Sequence, residues 1–245
     1  MRELRGIDRL PPAVAGPVGE YARLIDELFG DDARALTCFG RVLTDSFDLQ
    51  RDTVASVLVV DRVDLEALQS LAHHGGKLGG LRISAPLIMT PEYVKGSLDT
   101  FPLELLEIQQ KHVTLFGEDH FVDLPFDVEH IRLQCEREFK HMLIQLRQSL
   151  LKAADQEFML AGVQHAVGEE MVRTLRGLLW ITGKKEPIPR NEVVEAASSA
   201  TARKLNGLRP ALDAAYEPGW EDFRALYDDV EALSHLADQT GGGQG

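Results

Sequence analysis

The chain has 245 residues, 44% hydrophobic and 27% charged, a composition that suits a soluble globular protein of one large or two ordinary domains. A formal net charge of -13 opposes long-range attraction to phosphate backbones, so a dedicated nucleic-acid-binding role is disfavoured and any basic site has to be local. Two cysteines inside apolar runs, a charged stretch from Met1 to Leu10 and no apolar run near ~20 residues argue against a disulfide scaffold, a signal peptide and a membrane span, and point to the cytoplasm.

After Pro11, Pro12 and Pro17, the spacing of Val18, Tyr21, Leu24, Ile25 and Leu28 predicts one apolar helical face, ended by Gly30. Ala35 to Phe39 reads as a short strand that stops at Gly40. A polar stretch to Thr53 leads into Val54–Val60, β-branched and nearly all apolar, as a strand buried on both faces would be. Asp64 to Ala72 reads as a helix, and Gly75 to Gly80 as a flexible connection after it. A third strand is expected at Pro86 to Met89, after which Thr90 caps a short helix with Pro91 at its first position. Leu103 to Ile108 and Val113 to Phe116 are two further strand candidates, the second ending at Gly117.

From about Asp127 the period changes to threes and fours. Val128, Ile131, Cys135, Phe139, Met142, Leu146 and Leu150 predict one long amphipathic helix, and a second runs from Gln156 to Ile181. Shorter helices are expected at Asn191–Leu205, Leu208–Tyr216 and Trp220–Ala237, with a disordered tail at Gly241–Gly245. The fold class is α+β: a mixed sheet with helices in the first half, then an all-α helical bundle.

The order strand, Gly40, polar loop with Phe47, apolar strand resembles the nucleotidyltransferase fold of the antibiotic and minimal nucleotidyltransferase superfamily. The stretches Phe101–Ile108 and Val113–Asp119 look like later strands of bacterial members, and Ile131–Glu136 leading to Gln148 resembles the first helix of the bundle such proteins append. The resemblance implies a nucleotidyltransferase-like domain over residues 18–124, a helical domain over 125–240 and a tail over 241–245.

Active members of this superfamily place Gly-Ser at the end of the first strand and Asp-x-Asp at the start of the next. Alternate strand residues share a side, so the two carboxylates hold Mg²⁺ against a nucleoside triphosphate. A third carboxylate on a later strand completes the site or serves as base. Here Gly40 is followed by Arg41, and the two acidic positions fall on Val54 and Ser56, neither of which replaces a carboxylate. Glu104 stands where the third is expected, and a register shift would bring only Asp52 towards the metal position. Asp45 and Asp48, in the same loop, read as solvated turn residues.

The resemblance therefore implies a catalytically degenerate member, a pseudoenzyme, with Gly40, Arg41, Thr53 and Ser56 at the nucleotide position and no metal site. One alternative is an active Mg²⁺-dependent nucleotidyltransferase using Asp52 and Glu104, with a triphosphate as cosubstrate. The other is an interaction protein that pairs with a protein partner or a second copy through the helical half.

Other patterns carry less. Lys77 is followed by Leu78 rather than Ser or Thr, which a phosphate loop needs. Glu138-x-x-His141 has no second pair, as a di-iron bundle requires. Arg137 and His141 are too close for the helical RNase domains that accompany small nucleotidyltransferases. His73 and His74 suit a helix end, and Leu178 to Trp180 read as bundle core.

Overall fold

The computed structural model describes residues 2–153, 156, 158–213 and 215–239; the glycine-rich tail expected at 241–245 lies outside them. The chain forms two compact units, one of Met1–Leu98 and Glu104–Pro125, the other of Asp99–Leu103 and Phe126–Gly245.

The first unit begins with α1 (Pro12–Phe29) and a four-stranded sheet of β1 (Ala33–Phe39), β2 (Ala55–Val60), β3 (Leu87–Met89) and β4 (His112–Gly117), in the order β3-β2-β1-β4. β1 is antiparallel to both β2 and β4, while β3 runs parallel to β2. Cys38 lies opposite Ser56 and Val113, and Phe39 opposite Ala55 and His112. Strand alternation then puts Leu36, Cys38, Val54, Leu58, Val60, Val113 and Leu115 into one core with Val14, Val18, Tyr21, Ala22 and Ile25 of α1.

Helix α1 starts six residues before the expected apolar face. Pro12 occupies the first helical position, where its missing N–H would have no partner anyway, and Val14 is buried one turn before Val18. Helices α2 (Leu65–Ala72) and α4 (Pro91–Gly96) are capped as the sequence predicts. Asp64 accepts from the N–H groups of Glu66 and Ala67, and Thr90 Oγ1 accepts from Tyr93 N–H.

Two expectations fail. Gly75 to Gly80 is a short helix, α3, because Leu78 is buried and its N–H bonds His74 O while its carbonyl accepts from Ile83; tertiary anchoring overrides the poor helix propensity of glycine. Leu103 to Ile108 lies in a helix, α5 (Pro102–Gln110), rather than a strand. Leu103, Leu105, Leu106 and Ile108 are all buried, so the run satisfies both a period of two and a helical period, and Pro102 favours the helix start.

The segment before α1 is fastened to the sheet. Arg5 N–H donates to Leu115 O at 2.7 Å, and the Arg2 guanidinium bonds the Gly30 and Ala33 carbonyls and lies 4.9 Å from the Phe116 ring centroid. At the far end of β4, Gly117 has φ +83, and a Cβ there would lie 1.8 Å from Arg34 O.

The second unit is helical: α6 (Val128–Ala153), α7 (Phe158–Ile181), α8 (Arg190–Thr201), α9 (Leu208–Leu212) and α10 (Trp220–Gln239). α6 packs against α7 and α10, and α7 against α8 and α9. Ile131, Cys135, Phe139, Met142 and Leu146 of α6 are all fully buried, as the spacing requires. The Arg132 guanidinium, itself nearly buried, bonds Glu129, Glu136 and Ala237 O, tying α6 to the end of α10. No helix among the described residues is long and apolar enough to cross a membrane.

Candidate functional site

The turn expected after Gly40 forms at the end of β1. Gly40 sits at φ +75, a conformation that favours glycine, and its N–H donates to Lys111 O at 2.9 Å. Residues Gly40–Leu43 make one 3-10 turn that buries Val42 and leaves Arg41 exposed. Arg41 reaches Asp52 at 3.4 Å. The Asp52 carboxylate also accepts from Asp48 N–H at 2.9 Å, and Arg82 donates to the Asp52 and Gln50 carbonyls. The loop from Asp48 to Asp52 is thereby tied down, and Arg41 and Asp52 are brought together as an ion pair. Thr53 is exposed beside them in sequence.

The start of β2 is turned inward. Val54 is wholly buried, with its N–H on Arg82 O and its carbonyl accepting from Ser84 N–H and Oγ. Ser56 is 1% exposed and its hydroxyl lies 3.1 Å from the Tyr21 hydroxyl of α1. Burial pushes the Tyr21 hydroxyl well above its ordinary pKa, against the smaller opposing effect of the Ser56 hydrogen bond. Both positions thus face α1 in the core.

Glu104 lies in the first turn of α5, half-buried, where a strand was expected. Among the described residues no three His, Cys, Asp or Glu side chains gather to hold a metal ion. The residues present do not fit a divalent cation: the paired positions are a valine and a serine in the core, and Asp52 already faces Arg41.

A group that the sequence does not single out lies beside the Gly40 turn, whose Leu43 borders it. A cleft of about 440 Å³ beside the start of β4 is lined by Arg9, Leu43, Lys111, His112, Asp119 and Val122 among others. His112 Nε2 lies 2.9 Å from Asp119 Oδ2, and its Nδ1 lies 2.9 Å from Ile108 O at the end of α5. Asp119 Oδ1 also accepts from Phe121 N–H at 3.0 Å, and the Phe121 ring meets the imidazole edge-on. The pairing depends on the path of the chain after Gly117, so the visible signal is only a His at the start of a strand and an Asp just after its terminal glycine.

Partial burial pushes the Asp119 carboxyl upward, but the hydrogen bonds from His112 and Phe121 outweigh it and hold the carboxyl below its ordinary range. A lowered carboxyl stabilises the fold above the pKa of the unfolded chain, and that contribution disappears as pH falls through the folded value. Asp119→Asn is therefore expected to destabilise at pH 7, by less than about 1 kcal/mol because the pair is part-exposed and screened. Urea denaturation should show the gap between the two proteins closing at acid pH; a gap that widens there would contradict the assignment.

Neither a protein family nor a curated protein matches the chain. Among solved structures, it is similar to the crystal structure of spectinomycin adenyltransferase from Enterococcus faecialis with ATP and spectinomycin. The two are 9% identical, the match covers 91% of this chain and 98% of that one, and the TM-score is 0.56. What they share at that identity is the fold, so the chain has a nucleotidyltransferase-like fold with a helical region.

Proposed function

We propose that this chain of nucleotidyltransferase-like fold binds a nucleotide without metal-dependent transfer, and serves in assembly or regulation of a partner. The observation that carries the reading is the start of β2. Where a metal-binding member needs two carboxylates on one side of the strand, this chain buries Val54 and Ser56 under α1. The similar adenyltransferase structure contains ATP, which makes a nucleoside triphosphate the ligand class to test. Fold analogy supplies only that starting point.

Arg41 is the residue assigned to the anion. It is half exposed on a glycine-led turn, and its carboxylate partner Asp52 is one a triphosphate can displace. Calorimetry with ATP, GTP and CTP, with and without Mg²⁺, is expected to show metal-independent binding of at least one of them. Arg41→Ala should weaken it about tenfold, the loss of one charge-assisted contact. Absence of any binding removes the proposal. Mg²⁺-dependent transfer of label from an α-labelled triphosphate, lost in Glu104→Gln, would instead establish the active alternative with Asp52 and Glu104 as its acids.

A further inference from the structure

We propose that the cleft beside the first residues of β4 is a second anion site, separate from the Arg41 turn, and that it takes a phosphate monoester with a compact apolar body. The argument begins with charge. The chain carries a net -13, yet Arg9, Lys111 and His112 line one cleft of about 440 Å³, opposed there by Asp119. Arg9 and Lys111 form no salt bridge or side-chain hydrogen bond among the described residues, whereas Arg34, Arg41, Arg132 and Arg190 all do.

His112 holds the carboxylate that opposes Arg9 and Lys111. Nε2 faces the Asp119 carboxylate, while Nδ1 faces the Ile108 and Gln109 carbonyls at 2.9 and 3.1 Å. The ring and Phe121 N–H thus occupy the Asp119 carboxylate at the cleft wall. With both nitrogens occupied, the ring anchors the cleft wall. Asp119 is therefore already engaged, and Arg9 and Lys111 are the cations left to face a ligand. A phosphate monoester carries about -1.5 to -2 at neutral pH, which matches them, and a carboxylate carries half as much.

Both cations stand on anchored backbone. Arg9 ends a 3-10 turn that begins after Gly6, whose φ is +61 and where a Cβ would lie 2.4 Å from Val113 Cγ2; the turn is thus pressed against β4. Lys111 accepts from Gly40 N–H at its carbonyl and donates its own N–H to Glu107 O and Ile108 O. Such anchoring limits the entropy lost when an anion is bound. Leu43 and Val122, the latter 56% exposed, supply an apolar flank for the organic part of the ligand, and the volume falls in the range of small-molecule sites.

The test is calorimetry of the full chain with phenyl phosphate, and with benzoate as a monoanion of similar shape. Phenyl phosphate is expected to bind saturably and at least about tenfold more tightly than benzoate. Arg9→Ala and Lys111→Gln should each weaken it about tenfold and together about a hundredfold, while Lys140→Ala, an equal charge removed from the helical unit, should change it less than about twofold. Circular dichroism of the double variant checks that the fold is intact. Three results would each overturn the assignment: no saturable binding of phenyl phosphate, an unchanged affinity in a folded double variant, or benzoate bound as tightly.

Discussion

Replacing Val54 and Ser56 together by aspartate is expected to unfold the first unit rather than to create a metal site. The two side chains are 0% and 1% exposed and lie on the sheet face that packs against α1. A carboxylate at Ser56 would meet Tyr21, and one at Val54 the apolar residues of the same core, with no cation among them. Burying an ion without a partner costs several kcal/mol, and two of them approach the entire ~5–15 kcal/mol stability of an ordinary domain. The single Ser56→Asp chain should already show a marked fall in its urea midpoint, and the double variant should lose its near-ultraviolet circular dichroism at neutral pH. If instead the double variant stays folded and Mg²⁺ raises its melting temperature, the inward orientation of this strand is wrong.

Gly117→Ala is the second large effect. The residue has φ +83, and a Cβ would fall 1.8 Å from Arg34 O and 2.8 Å from Ala35 Cα, where Gly117 pairs with Ala35 of β1. Backbone atoms of a paired strand cannot move aside as a side chain tip can, so the sheet itself has to shift. The left-handed conformation alone costs roughly 1–2 kcal/mol for a residue with a Cβ, and the collision should bring the total above about 3 kcal/mol. Gly40→Ala provides the contrast: φ is +75 but nothing stands within 4 Å of the added Cβ. Its loss should stay near the strain term. Equal losses at the two sites, measured by guanidinium denaturation, would mean that close approach contributes nothing at Gly117.

These contrasts separate what the sequence reveals from what it withholds. The α+β class, the strands at β1, β2 and β4 and the long helix α6 were legible, because each depends on local period and punctuation. The heptad-like spacing from Ile131 to Leu146 needs no knowledge of the partner helix. α5 was not legible, since its buried residues Leu103, Leu105, Leu106 and Ile108 fit a period of two as well as a helical one. Nor was the inward turn of β2. Alternation says that Val54 and Ser56 share a side, but which side is decided by Tyr21, thirty-five residues before Ser56. The same reason hides the cleft at β4. Arg9 and Lys111 come together only because Gly6 presses the opening turn onto Val113, a contact between distant parts of the chain that no spacing rule encodes.

The strap formed by the residues before α1 also bears on how this unit can be recognised. A sheet edge is an invitation to any extended peptide, which can add itself as one more strand through main-chain hydrogen bonds alone. Here β4 has Arg5 N–H on Leu115 O and the turn after Gly6 against Val113, while the opposite edge, β3, is three residues long. Both borders are blunted. Strand addition is thereby disfavoured at both edges, which leaves side chains as the surface a macromolecule would read.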